Sequence, residues 1–314
     1  MAEVRPIYAT HYDLAVVGSL EKVAAPPYDV IDAAQRAALL RRSPYNAVAI
    51  DLPKPYDAEP DVPGEDPYAH AAETMEEWRA AGPLVTDREP ALWAMTQDYT
   101  GPDGEGRTRH GILARVRVED FEEGQVLPHE RTLPGPKKDR LDLTRATRHN
   151  LSPIFSLSTK DPWPLVAPEV ESQEPWGEAT DAGTRTRVWR IGNPAVHEQV
   201  SALLADAKLL IADGHHRYET AIAYRDEVGG EGDHNYTLMA LTGLSDPGLT
   251  VFPTHRLLSG FADNPERQQR LGEGLRRLFD VTEVPIEDLD PRGEDGVASS
   301  ASTTRTTSAA SACA

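Results

Sequence analysis

Two histidines, an arginine and an acid surround one glycine in the run Leu209-Leu210-Ile211-Ala212-Asp213-Gly214-His215-His216-Arg217-Tyr218-Glu219-Thr220-Ala221. The chemistry they offer is anion recognition. Leu209 to Ala212 reads as a buried strand, and Tyr218, Ala221, Ile222 and Arg225 fall along one stripe of a helix over His215 to Asp226. Gly214 removes a side chain where the backbone must bend or approach a ligand, and the amides after it open a helix N-terminus that favours anions. His215, His216 and Arg217 add side-chain donors, with His216 also a catalytic candidate. Asp213 is the acid of the turn, placed for a general base or for a Mg²⁺ ligand. The plainer alternative is an Asp-Gly turn followed by a satisfied histidine pair.

A second donor-rich segment runs through Leu127-Pro128-His129-Glu130-Arg131-Thr132-Leu133-Pro134-Gly135-Pro136-Lys137-Lys138-Asp139-Arg140-Leu141. From Pro128 to Asn150 there are six Lys or Arg and three acids, a local charge of 6 − 3 = +3 in a chain of net charge −19. Such a patch suits a small anionic ligand, because a nucleic-acid binder needs a wider basic face. His129, Arg131, Thr132, Lys137, Lys138 and Arg140 are therefore candidates for holding an acidic or zwitterionic substrate, and Glu130 is a second candidate base. The alternative is a solvated loop and helix whose charges pair locally. His129-Glu130 lacks the second histidine of a zinc-protease helix, and glycine-rich dinucleotide and Walker loops are absent. Tyr28-Asp29, after Pro26-Pro27, and His255-Arg256 are weaker candidates, the first read by preference as a plain turn and the second equally as a turn or as donors to the pocket.

Mixed elements must position these segments. Asp32 caps a helix to about Arg42, and Asn46 to Leu52 alternates as a strand. Pro53 to Glu65 reads as a loop, followed by a helix with Asp66 as N-cap, Pro67 at its first position and Gly82 at its end. Ala91 to Tyr99 and Arg107 to Val118 form a hairpin, with Ile112, Ala114, Val116 and Val118 on one face. Lys137 and Lys138 fall in a Pro/Gly-framed loop before a basic helix over Asp139 to His149. Ile154 to Leu157 and Arg187 to Ile191 are strands, separated by an acidic, Pro-rich linker from Asp161 to Gly183. A helix from Pro194 to Asp206, a strand from Tyr236 to Leu244 and a helix from Pro265 to Phe279, capped by Asn264, complete the pattern. No internal repeat is seen.

At 314 residues and 39% hydrophobic content the chain can bury one large core or two modest ones. The organisation expected is one domain over residues 1–290, divisible into lobes of about 1–160 and 184–290. The one cysteine, Cys313, rules out a disulfide framework. Without an apolar stretch of membrane-spanning length, a soluble, cytoplasmic protein with no membrane partner is expected. Val297 to Ala314 is small and polar, so it is expected to be disordered. A shifted reading frame or truncated gene is the preferred reading of that tail, with a natural flexible tail as the alternative.

Four blocks, Ala25 to Ile31, Leu127 to Phe155, Ile211 to Glu227 and Ser245 to Leu257, resemble in order the bacterial family catalogued as domain of unknown function 1015, over about residues 5 to 285. That family name carries no activity. The turn Asp213-Gly214-His215-His216-Arg217 is also similar to the phosphate-binding turn of the superfamily of ParB partition proteins, sulfiredoxins and ADP-dependent free-serine kinases. This likeness implies an α+β, mixed α/β fold in which a ParB/sulfiredoxin-like strand-turn-helix sits inside a larger sheet and helix domain. It also implies nucleotide phosphates, of ATP or ADP with Mg²⁺, on Gly214, His215, His216 and Arg217. The expected function is a kinase-like, nucleotide-dependent phosphotransferase acting on a small hydroxyl-bearing metabolite, with Asp213 and Glu130 as catalytic carboxylates. Its alternatives are a non-catalytic nucleotide sensor or ParB-like partner-binding protein, and a metal-dependent hydrolase using His215 and His216.

Overall fold

The computed structural model describes residues 2–54, 66–132, 134–251, 260–261 and 264–280. Readings that fall on His255-Arg256, on the C-terminal tail and on most of the Pro53 to Glu65 loop lie outside the described residues. The chain divides into two compact units, Met1–Leu249 and Thr250–Ala314.

In the first unit eleven strands form between chain reversals: β1 (Val4–Arg5), β2 (Thr10–Tyr12), β3 (Leu84–Thr86), β4 (Leu92–Thr100), β5 (Gly106–Arg117), β6 (Val126–Leu127), β7 (Ile154–Ser158), β8 (Gly177–Asp181), β9 (Thr184–Ile191), β10 (Leu209–Asp213) and β11 (Tyr236–Gly243). Nine share one sheet, in the order β6-β10-β7-β11-β5-β4-β9-β8 with β1 beside β5, while β2 and β3 pair separately. The sheet is mixed: β6 runs parallel to β10 and β7 parallel to β11, and the remaining pairs are antiparallel. Helices of the same unit are α1 (Leu14–Val17), α2 (Leu20–Val23), α3 (Ala33–Arg42), α4 (Val48–Asp51), α5 (Pro67–Ala81), α6 (Pro134–Thr147), α7 (Trp163–Glu171), α8 (Pro194–Leu204) and α9 (His215–Val228). The second unit contributes α10 (Pro265–Leu278), whose N-cap Asn264 accepts from the Arg267 amide.

Local sequence explains most of these elements. Asp32 and Gln35 form a reciprocal capping box at α3, each side chain accepting from the other residue's amide. At α5, Asp66 accepts two first-turn amides, Pro67 enters where no amide partner is needed, and Gly82 ends the helix in the left-handed region. Ile112, Ala114, Val116 and Val118 are all buried, in one core cluster with Leu92, Ile154, Leu209, Ile211, Met239 and Leu241 of neighbouring strands and Val166, Val200 and Tyr218 of α7, α8 and α9. Each large aliphatic side chain buried there stabilises the sheet by about 1.5–3 kcal/mol. Among the described residues no helix is long and apolar enough to cross a membrane.

Three expectations need correction. Asn46 to Leu52 is not a strand: the Asn46 side chain accepts from the Val48 amide and donates to the carbonyls of Lys22 and Ala24, winding the chain into α4. The alternation arises because Val48 packs into one cluster, with Tyr28 and Leu39, and Ile50 into another, with Met75 and Trp78. Lys137 and Lys138 are not in a loop, since α6 begins at Pro134. Proline in a first helical turn sacrifices no intrahelical bond. Asp161 to Gly183 is not a linker but holds α7 and β8. There the Asp161 carboxylate accepts from the Trp163 amide, and the β8–β9 turn places both Ala182 and Gly183 at positive φ, the geometry of a two-residue hairpin.

Candidate functional site

Strand order decides which residues meet. β10 has β6 as its parallel neighbour, with Leu209 opposite Val126 and Leu210 opposite Leu127. Parallel strands leave a sheet at the same end, so Pro128 to Thr132 emerges beside Asp213 to Arg217. On the other side, the β10–β7 register shifts between Ile211 and Asp213, a bulge that re-aims the chain as it enters α9.

The first residue of that entry, Gly214, has φ 103° and ψ 29°, and no side chain caps α9. A Cβ at Gly214 would lie 3.0–3.2 Å from the Arg217 guanidinium, which folds back over the turn. Glycine is therefore required twice, for the left-handed backbone and for the close approach. From within, Tyr218 anchors the turn: its hydroxyl accepts from the Glu119 amide at 3.1 Å and donates to the Glu119 carbonyl at 2.9 Å. The Glu119 carboxylate in turn accepts from the amides of Gln125 and Val126 at the start of β6.

His129 and His215 form an edge-to-face pair with ring centroids 4.5 Å apart. The His129 amide donates to Nε2 of His215 at 3.1 Å, and Nδ1 of His129 lies 2.7 Å from the Ile211 carbonyl, to which only a protonated nitrogen can donate. An accepting Nε2 puts the proton of a neutral His215 on Nδ1, 3.8 Å from the Glu130 carboxylate. Burial pushes the His215 pKa down, helped by His129 and opposed by Glu130 and Asp213. His215 is 4% exposed, whereas the Glu130 side chain is 64% exposed at the mouth of the turn. His216 is partly exposed on the first turn of α9.

Arg217 bridges the turn and the sheet. One terminal nitrogen donates to the Pro153 carbonyl just before β7, the other to the Asp213 carboxylate, and Nε lies over Gly214. Asp213 is otherwise exposed to solvent. In the basic segment, Lys137 on α6 pairs with Glu219 on α9 at 2.7 Å. Partial burial tends to raise the Glu219 pKa, but hydrogen bonds from Lys137 and Thr132 outweigh it and hold it low. Lys138 makes a 2.5 Å pair with Asp142 one helical turn away, an exposed contact worth a few tenths of a kcal/mol, about 0.3–0.5. Arg131 is exposed.

Arg140 is buried and bonded throughout. Nε and one terminal nitrogen donate to Asp139, the other terminal nitrogen to the Asp51 carbonyl and carboxylate, and the guanidinium stacks 3.9 Å from the Tyr28 ring centroid. Arg140 and Arg217 line one narrow cavity, with Asn150, Ser152, Thr220 and Thr237 among its other walls. The two donor-rich segments thus meet at the His129–His215 contact, at Lys137–Glu219 and in this cavity. Asp51, Ser152, Asn150, Thr220 and Thr237 were not read from the sequence. Asp51 had no signal because it ends the stretch with misleading alternation, and Thr237 lies inside an ordinary strand pattern. Tyr28, noted only as a loop residue, packs its ring under Arg140 from a 3₁₀ turn.

Chemically, the site offers an uncapped helix N-terminus, two exposed carboxylates of different pairing, a neutral histidine and a guanidinium at one turn. Among the described residues no group of three or more His, Cys, Asp or Glu side chains is arranged to hold a metal ion by itself. Asp213 by itself supplies a single carboxylate, and that carboxylate is paired with the Arg217 guanidinium. A family model with the description Protein of unknown function (DUF1015) matches residues 4–310. The match extends beyond the four blocks and into the C-terminal tail. No curated protein and no solved structure matches the chain. The likeness of the Asp213 to Arg217 turn to the ParB superfamily remains a likeness of five residues.

Proposed function

We propose that this chain, which belongs to the DUF1015 family, is a nucleotide-dependent phosphotransferase acting on a small hydroxyl-bearing metabolite. The observation that carries this reading is the uncapped start of α9 at left-handed Gly214, flanked by Asp213, Arg217 and the Glu130–His215 pair. The amides and dipole of a helix N-terminus stabilise phosphate, and a glycine lets the backbone approach it. ATP or ADP, with Mg²⁺ on its phosphate oxygens, supplies the phosphoryl group when bound. His216 and Arg217 offset negative charge at the turn, and Asp213 would be the protein's ligand to the metal. As the acceptor oxygen forms its bond to phosphorus and the bond from phosphorus to the leaving nucleotide oxygen breaks, the acceptor proton passes to Glu130. His215, neutral with its Nδ1 proton facing Glu130, orients that carboxylate. Phosphoryl transfer asks chiefly for such positioning and charge neutralisation.

The test is phosphorus NMR of the purified protein with Mg²⁺, ATP or ADP, and a panel of hydroxyl-bearing metabolites. The expected result is a new phosphomonoester signal matched by loss of nucleotide. Tight nucleotide binding without consumption across the panel would replace this reading with a non-catalytic sensor.

A further inference from the structure

A second cleft, of about 320 Å³, opens behind Arg217 between the end of α6, one face of α9 and the start of β11. Its apolar wall is Ala221, Tyr224, Val228 and Tyr236. Two of its polar groups lack partners. Thr220 is 4% exposed, and its hydroxyl has no hydrogen-bond partner among the described residues; nor has Nε2 of His234. A buried hydroxyl without a partner costs about 1–3 kcal/mol, a cost that a ligand supplying the missing hydrogen bond would relieve.

Charge points the same way. The acid on the cleft wall, Asp233, is paired with Arg115 at 2.7 Å, and Arg217 is paired with Asp213. Arg148, at the end of α6, makes no side-chain hydrogen bond or ion pair among the described residues. Lys137, Lys138 and Arg140, by contrast, all have carboxylate partners. Arg148 also has φ 55°, although its amide still donates to the Thr144 carbonyl at 2.8 Å. That left-handed position after a helix favours glycine, and an arginine there is strained. Arg148 borders a third, more open groove as well, but there α5 presents Glu73, Glu76 and Glu77, which repel an anion.

The geometry points to this cleft as the binding site for a compact metabolite with one anionic head group on Arg148 and a hydroxyl or carbonyl group on Thr220 and His234. The cleft volume matches the lower end of small-molecule sites. Its assignment as the acceptor pocket rests on the phosphotransferase reading, since Arg217 forms part of its wall and reaches the Asp213 turn; its binding of an anion does not.

Isothermal titration with glycerate and with glycerol phosphate separates a carboxylate from a phosphate head group. Expected is saturable binding of at least one, weakened tenfold or more in Arg148→Gly and several-fold in Thr220→Val. Arg148→Gly relieves the backbone strain, so its melting temperature should be unchanged or higher, which keeps loss of binding distinct from loss of fold. Absence of binding by both compounds, or equal affinity in wild type and Arg148→Gly, overturns the site, the latter marking an adventitious ion only. Binding that depends on Arg148 without any phosphoryl transfer sinks the phosphotransferase reading and leaves the cleft. Transfer whose acceptor KM is unmoved by Arg148→Gly removes the cleft and leaves the phosphotransferase.

Discussion

The amide of His129 donates to Nε2 of His215 across 3.1 Å, joining residues 86 positions apart and fixing which nitrogen of a buried imidazole carries the proton. Removing the acceptor strands a backbone donor. His215→Leu should destabilise the first unit by up to about 1–3 kcal/mol, since it leaves a part-buried amide without its acceptor, while His215→Gln, which keeps an acceptor near the same place, should lose less. Urea denaturation of the two variants beside wild type measures the difference; equal losses would mean that packing alone matters at this position.

Acid should loosen the fold through two histidines. Burial pushes the pKa of both His149 and His215 down from the usual value, so the folded state resists protonation. Their contribution is fully present above the unfolded histidine pKa of about 6.5 and is lost as pH falls through the lower folded values. Melting temperature should therefore decline from pH 7 to pH 5, and less steeply in His215→Gln. Parallel slopes in the two proteins would count against the His215 contribution.

At the turn, Gly214→Ala places a side chain in a left-handed backbone and against the Arg217 guanidinium. It should cost about 1–2 kcal/mol in stability from the backbone alone. Nucleotide affinity, followed by titration, should fall more than tenfold in Gly214→Ala and Arg217→Ala, and less in Arg217→Lys, which keeps a point charge but not the fork. Unchanged affinity in a folded Arg217→Ala protein would remove its phosphate role.

Glu130 and Asp213 act in the transition state in the proposed reaction. Glu130→Gln and Asp213→Asn should keep nucleotide affinity within a few-fold while phosphoryl transfer falls by roughly a hundredfold or more, the range for losing a general base. Turnover and affinity falling together would assign these carboxylates to ground-state binding.

Arg140 answers to a different measurement. Its donors are committed to Asp51 and Asp139 in a buried setting, so Arg140→Met leaves Asp51 without its counter-charge and Asp139 with Lys54 alone, at 3.9 Å, and should destabilise by about 3–5 kcal/mol. A stable Arg140→Met protein would show that these carboxylates are solvated or protonated instead.

The site was legible where one local rule was enough. Asp32, Asp66 and Gly82 announced their helices, and Gly214 after four apolar residues announced the strand-turn-helix. What the sequence could not show was partnership across the chain. Lys137 looked available until α6 was laid against α9 and Glu219 took it. Val48 and Ile50 alternated as in a strand because two separate clusters lie on either side of one helical turn. Arg148 counted only as one of six basic residues between Pro128 and Asn150, since its positive φ and its place on the wall of a cleft show only in the fold.

Tyr218 holds both the donor and the acceptor of Glu119, and so pins the first turn of α9 to the chain just before β6. Sliding or rotation of the helix would break both bonds at once, so the start of α9 is held in place and, in the proposed reaction, forms the fixed side of the site. The opposing segment, Pro128 to Thr132, hangs from β6, a two-residue strand at the sheet's edge with β10 as its one neighbour. Adjustment to a ligand on that side is limited by the His129 amide on His215 and the His129 ring on the Ile211 carbonyl, so in the proposed reaction Glu130 works from a segment tied to the turn it faces.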